Sequence, residues 1–278
     1  MVTLISHFFN EEYLLPFWIE HHLPMFDDAI LIDHGSTDKS REIIRNLAPN
    51  WRIVDSRLKE FDAVLTDFEV EKYESDINGW KIVLNTTEFL VGSLRQELGY
   101  FDKKKVKAVT IDAKIMVDLE PEKIISPNSS LVIQKPFGII DNRLYDLLLR
   151  GFSLGKIRNM MKSSGRRHIG RQRLLHCHTI GGYSAGRHSW PYASSNTQNL
   201  FIYWYGYSPW DTNMLIRKSA IKDKLPADNL HLGSHHRLSL QQLNRVYRKH
   251  VFLWRVFFLL SKFSRLSGMV FSNVRNKN

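Results

Sequence analysis

The sequence holds a single cysteine, Cys177, among 278 residues, so no internal disulfide staples the fold and an apolar core has to hold it together. It also lacks a Walker A run, a Gly-x-Gly-x-x-Gly after its first apolar stretch, a Cys-x-x-Cys pair and a His-Glu-x-x-His. P-loop nucleotide hydrolysis, ordinary dinucleotide binding and zinc hydrolysis are therefore without a motif. No charged segment followed by an apolar one and a small-residue cleavage site opens the chain, and the expected setting is reducing and cytoplasmic. That setting argues against glycosylation at Asn85-Thr86-Thr87 and Asn128-Ser129-Ser130. The most apolar run, Val251 to Phe263, is interrupted by Arg255 and Lys262 and is too short and too charged to span a bilayer.

What is present is enough for one large core: 43% of residues are hydrophobic and 12% aromatic. Charge is distributed unevenly. Residues 1–140 carry 16 Lys/Arg against 23 Asp/Glu, a net −7, and residues 141–278 carry 23 against 5, a net +18, which together give the overall +11. The basic half calls for an anionic partner: nucleic acid, a phosphorylated substrate or an acidic membrane surface. A solvated surface without a partner is the plain alternative.

Hydrophobic periodicity orders the first part of the chain. Val2 to Ile5, Ala29 to Ile32, Trp51 to Val54 and Trp80 to Leu84 read as buried strands. Helices follow the first three: one around Leu14, Leu15, Trp18 and Ile19 with Pro16 in its first turn, one carrying Ile43, Ile44 and Leu47, and one over residues 62–76 with Val64, Leu65 and Phe68 inward. This alternation predicts a parallel sheet covered on both faces, with ligands at the carboxyl ends of its strands. Three polar clusters, His7 to Glu11, Asp33 to Asp38 and Asn85 to Glu88, fall at those ends and should converge on one crevice.

Beyond residue 105 short strand-like runs take over: 106–111, 131–133, 173–177 and 200–205, with a basic, Gly-containing loop at 151–170 between them. Asp211 reads as the N-cap of a helix running to Lys224 and stopped by Pro226. The C-terminal run reads as a helix with Arg255 and Lys262 on one side and a Phe/Leu/Trp surface on the other, suited to a membrane interface or to packing on the domain.

The ordered segments "HFFNEE", "LIDHGSTDKS" and "LNTTEFLVG" resemble the glycosyltransferases of the GT-A fold, closest to the family 2-like enzymes. There an Asn-Glu loop ends one strand, Asp-x-x-Ser-x-Asp another, and an Asp-x-Asp motif, often continuing Glu-Phe, ends the fourth. The resemblance covers roughly residues 1–92; "HCHTIGGY" and "YWYGYSPWDTNMLIRKSAIKDKLP" are similar to acceptor-side segments. It implies a GT-A-type, Rossmann-like mixed α/β sheet with helices on both faces, plus a C-terminal helical extension. On that resemblance residues 1–235 are expected to form the transferase domain, 1–105 being the nucleotide-sugar half and 106–235 the acceptor half, with 236–267 helical and 268–278 a disordered tail.

The resemblance further implies a nucleoside diphosphate sugar donor held by His7, Asn10, Glu11, Asp33, Ser36, Asp38, Asn85 and Thr87, and a glycan or lipid-linked glycan acceptor. Aligning Glu88-Phe89 with the family's Glu-Phe places Asn85 and Thr87 where two aspartates belong, and neutral oxygens hold Mg²⁺ or Mn²⁺ less firmly than carboxylates. Either Glu88 and His178 hold a metal, or cations such as Arg171, Arg173, Arg187 and Lys218 neutralise the diphosphate, or the donor is bound without turnover. Weak or absent metal dependence is the expectation. Glu88, His178 and Asp211 are the expected catalytic residues; an inverting reaction needs a base, for which Asp118, Glu120, His178 and Asp211 are all conceivable. Asp62 and Asp67 could contact the base from the helix after the third strand, but a solvated helix face is the expected place for both. Of Tyr203, Trp204, Tyr205, Tyr207 and Trp210, some could stack on sugars and at least half should belong to the core. A non-catalytic sugar-nucleotide or glycan binder and a basic nucleic-acid-binding protein are the rival readings, the latter supported by charge alone.

Overall fold

The computed structural model describes residues 1–139, 172–187, 189–225 and 237–263. Four parallel strands, β1 (Val2–Phe8), β2 (Asp28–Asp33), β3 (Arg52–Asp55) and β4 (Trp80–Val83), lie in the order β3-β2-β1-β4. They are linked by α1 (Leu15–His22), α2 (Ser40–Leu47) and α3 (Ala63–Glu74). Ile5 stands beside Ile30 on one side and Val83 on the other.

Because side chains alternate along a strand, this register sorts the apolar residues into two layers. Leu4, Leu31 and Ile82 pack with Trp18, Ile19 and Ile44 of the first two helices. Ile5, Ile30, Ile32 and Val83 pack with Val70 of α3 on the opposite face. Each fully buried Leu or Ile contributes on the order of 1.5–3 kcal/mol, so the sheet is fixed from both sides. Pro16 sits in the first turn of α1, where its missing N–H costs nothing.

The sheet then becomes mixed. After β5 (Glu88–Val91) and α4 (Leu94–Lys103) comes the long β6 (Ala108–Met116), followed by α5 (Leu131–Gln134), β7 (Gly138–Ile139), β8 (Gln172–His176), β9 (Ser195–Asn196) and β10 (Phe201–Trp204). β8 inserts antiparallel between β4 and β6; β10 runs parallel to β6 and pairs antiparallel with β5 at the far end. The expected mixed α/β sheet with helices on both faces is thus the observed one.

The helix α6 (Thr212–Ala220) is capped by Asp211, which accepts from the Met214 N–H, and tightens into a 3-10 turn at Ile221–Lys224. The C-terminal α7 (Leu240–Phe263) packs on the domain. Tyr247 stacks on Trp210 with ring centroids 4.8 Å apart and donates to the Asp118 carbonyl at 3.0 Å. Trp254 meets Phe137.

Three expectations need correction. Val64, Leu65 and Phe68 point outward, the last two being 50% and 57% exposed, while Thr66, Asp67, Glu69, Val70 and Glu74 are buried. The reason is that α3 uses a polar face to hold neighbouring loops, so hydrophobicity points the wrong way along this helix. Residues 131–134 form a helical turn rather than a strand; the Gln134 side chain ties it back to the Ser126 and Ser129 carbonyls. In α7, Leu253 and Trp254 face the core, so Arg255 shares its outward side with the exposed Phe252 and Leu259 instead of opposing an apolar surface. The expectations for the loop at 151–170, Arg171, Pro226 and the tail from 268 fall outside the described residues.

Candidate functional site

A cavity of about 190 Å³ opens at the carboxyl ends of β1, β4 and β10. Its floor is made by His7, Phe8, Phe9 and Glu11 from the end of β1, Asn85 to Thr87 after β4, and Trp204 and Gly206 from β10. One wall is the start of α3, with Phe61, Ala63, Thr66 and Asp67; Gly186 and Arg187 form another; Arg217, Lys218 and Ile221 of α6 and its 3-10 extension close the third.

The two arginines of the cavity are held by carboxylates and its lysine by a carbonyl and a ring. Arg187, 6% exposed, donates to Asp67 and, at 2.8 Å, to the Asn85 side-chain oxygen. Arg217 binds both carboxylate oxygens of Glu11. Lys218 donates to the Gly206 carbonyl at 2.7 Å and lies 4.0 Å from the Tyr207 ring centroid.

Arg187 is further marked by its backbone, at φ +60°. A long side chain in this left-handed region costs about 1–2 kcal/mol and persists where surrounding contacts over-determine it. Here α3 supplies them as a ladder. Glu74 accepts from the Gly181 N–H at 2.6 Å and the Tyr183 hydroxyl at 2.6 Å, Glu71 from the Tyr183 N–H at 2.9 Å, and Asp67 from the Gly186 N–H at 2.7 Å. Residues 67, 71 and 74 share one helix face, so the loop from Gly181 to Arg187 is fastened along α3 and ends in the cavity.

The aromatic side of the cavity is equally built. His7 lies 5.2 Å from His34 and 6.1 Å from Phe61 between ring centroids. The His7 Nε2 is 3.4 Å from Glu69. Burial raises the Glu69 carboxyl, but His7, the Arg57 N–H and the Ser56 hydroxyl outweigh it and leave it at about 2. Burial, with His7 and Lys224 nearby, lowers His34 to about 4.

The residues read from sequence divide into two groups. His7, Glu11, Asn85, Thr87, Arg187 and Lys218 line the cavity. Asn10, Ser36 and Asp38 instead knit the loops after β1 and β2 together, and Asp33 braces its own loop and α2. The Asn10 oxygen accepts from the Thr37 N–H at 2.8 Å, Ser36 from the Asn10 N–H at 3.0 Å, and Asp38 from the Glu12 N–H at 3.0 Å. Asp33 accepts from the Ser36 N–H and from Arg41 at 2.8 Å.

Glu88 does not line the cavity; it is 2% exposed and forms a buried pair with Arg173 behind it. Burial opposes its charge, but Arg173, the Asn85 N–H and Arg187 prevail and hold the carboxyl below its ordinary range. His178 follows β8, whose antiparallel register sets His176 beside Lys81, so it lies toward the opposite end of the sheet, stacked on Tyr192 at 3.9 Å. The pairing of Glu88 with His178 around a metal is therefore not assembled. Among the described residues no group of three or more His, Cys, Asp or Glu is placed to hold an ion. Each acidic group at the cavity is already matched to a guanidinium, and such a donor set does not fit a divalent cation. His176 is buried against Glu74 and Tyr183. Asp211 is occupied by its cap and by Tyr13, whose hydroxyl donates to it. Asp118 is buried in an ion pair with Lys135 at 2.8 Å, and Glu120 pairs with Lys123 at the surface. Of the five late aromatics, only Trp204 lines the cavity.

Arg217 and Phe61 are cavity residues that sequence reading passed over, and Asp67, expected rather on a solvated helix face, is buried and lines the cavity as well. Glu11 and Arg217 are 206 positions apart, and no local spacing announces such a pair.

No protein-family model matches the chain, and no curated protein does. Solved structures do. S. aureus TarS 1–349 is matched over 99% of this chain and 75% of that one, at 13% identity and a TM-score of 0.38. The same protein in complex with UDP-GlcNAc is matched over 47% and 40%, at 14% and 0.35. Glucosyl-3-phosphoglycerate synthase from Mycobacterium tuberculosis, in complex with Mn²⁺, UDP and glucosyl-3-phosphoglycerate, is matched over 64% and 56%, at 12% and 0.33. In the first three structures matched, this chain spans 25%, 40% and 44% of the other chain's length.

Proposed function

We propose that the chain is a glycosyltransferase of GT-A type that moves a sugar from a nucleoside diphosphate donor to a glycan or other glycosyl acceptor, with inversion and without a metal. The carrying observation is Arg187, held in the cavity between Asp67 and Asn85, at the position where the resemblance sets an acidic metal motif. A guanidinium supplies fixed positive charge and a planar fork of donors for a diphosphate. Arg217 and Lys218 face the same space from α6, and His7, Phe9 and Phe61 offer flat surfaces to a nucleobase.

In this reading the diphosphate enters among Arg187, Arg217 and Lys218, which stabilise the charge that grows on it as the glycosidic bond breaks. The acceptor oxygen attacks the anomeric carbon from the opposite side and gives its proton to a carboxylate. Glu11 and Asp67 are the carboxylates that line the cavity among the described residues.

The test is calorimetric binding of UDP, GDP and their common sugar conjugates, with Mn²⁺ and with a chelator. Micromolar binding unaffected by the chelator supports the reading. Binding only with Mn²⁺ would overturn the metal-free mechanism, and no binding in either condition would overturn the donor site.

A further inference from the structure

We infer that the outward face of α7 is a docking surface for a membrane bearing acidic headgroups. The inference stands independently of the reaction proposed for the cavity. The helix has two faces with different fates. Leu243, His250, Leu253 and Trp254 are buried against the domain. On the other side Arg245, Arg248, Lys249, Phe252, Arg255 and Leu259 are exposed, at the three- and four-residue steps that place them on one stripe.

The chemistry of that stripe selects its occupant. Phe252 is 63% exposed and Leu259 55%, and seven residues set them two turns and about 10 Å apart on the same side. Four cations surround them, and from residue 229 to 278 the sequence contains nine Lys/Arg and no Asp or Glu. A protein partner of ordinary composition would leave many of these charges unmatched, whereas a sheet of anionic headgroups matches them all while its acyl boundary receives Phe and Leu. No helix among the described residues is long and apolar enough to cross a membrane, so α7 meets the bilayer side-on. Each Lys or Arg brought to such a surface strengthens binding about fivefold, and the attraction weakens with salt.

The experiment is flotation of the full chain with vesicles of phosphatidylcholine alone or mixed with phosphatidylglycerol, at low and high salt, beside the variants Arg245→Gln/Arg248→Gln/Lys249→Gln and Phe252→Ser/Leu259→Ser. These side chains are exposed, so the variants should fold as the parent does, which circular dichroism checks. The expected result is flotation with the acidic vesicles only, lost at high salt, and reduced at least tenfold in each variant. Equal flotation with neutral vesicles, no flotation, or variants that float like the parent would overturn the inference. So would a concentration-dependent dimer abolished by the Phe252/Leu259 variant without vesicle binding, which would assign the face to a second copy.

Discussion

Arg187 donates to the Asn85 side-chain oxygen at 2.8 Å across 102 positions of sequence. A polar quartet that sits where acidic metal ligands are expected thus receives a positive charge from the chain itself. Replacing Arg187 with Ala should weaken UDP or GDP binding by about tenfold to a hundredfold, the worth of a charge-assisted hydrogen bond of ~1.5–3 kcal/mol. Arg187→Lys should recover only part of this, because a point charge does not reproduce the fork. Titration calorimetry decides it, and unchanged affinity in both variants would remove Arg187 from the donor site.

The Glu88–Arg173 pair predicts a different outcome. Glu88→Ala leaves a buried guanidinium unpaired and should cost about 3–5 kcal/mol of stability. Glu88→Gln should lower the melting temperature while donor affinity in the folded protein stays within about threefold of the parent. A large loss of affinity without loss of stability would return Glu88 to the reacting centre.

The ladder on α3 can be tested apart from the cavity. Glu74→Gln removes the charge that the Gly181 N–H and the Tyr183 hydroxyl bond to, and should reduce donor affinity through Arg187. Combined with Arg187→Ala it should add little further loss, whereas additive losses would mean the two residues act separately.

The outward turn of α3 makes a stability prediction. Leu65→Ala and Phe68→Ala should each change stability by no more than about 0.5 kcal/mol, as surface substitutions do. Val70→Ala should cost more than about 1 kcal/mol, because it opens space in the core. Urea titrations of the three variants suffice, and a large cost at Phe68 would contradict the observed orientation.

Acid should destabilise the fold through buried histidines. Burial lowers His250 to about 3 and is the main cause that lowers His34 to about 4, both from the ordinary 6.5. The unfolded chain therefore takes up protons that the folded one refuses. Their contribution is complete above pH 6.5 and falls as pH drops toward those lower values, by up to about 1.4 kcal/mol per pH unit for the nearly enclosed His250. Replacing His250 with Phe should flatten the stability curve between about pH 6.5 and 4.

The parallel strands, their order of appearance and the Asp211 cap were legible because they depend on local alternation and capping chemistry. His7, Glu11 and Asn85 were legible as strand-end residues, since a parallel sheet brings such ends together. The orientation of α3 was not, because its inward face is chosen by carboxylates that serve distant loops, and apolar residues alone argue the reverse. Glu88 was misjudged for a related reason: a carboxylate beside a crevice reads as reactive until the arginine behind it, 85 positions away, is seen. Asp33 and Asp38 had the residue types of a binding site but spend their oxygens on Ser36 and Arg41 and on the Glu12 and Ser40 N–H groups.

The pairing of β6 with β8, β9, β10 and β7 bears on synthesis as well as on the finished molecule. Until β8 and β10 emerge, β4 lacks its antiparallel neighbour and β5 the strand it pairs with among the described residues, and bare strand edges invite association with other chains. From residue 91 to residue 204 a ribosome needs on the order of ten seconds. For that interval the edges of β4 and β5 stand open to other copies of the chain.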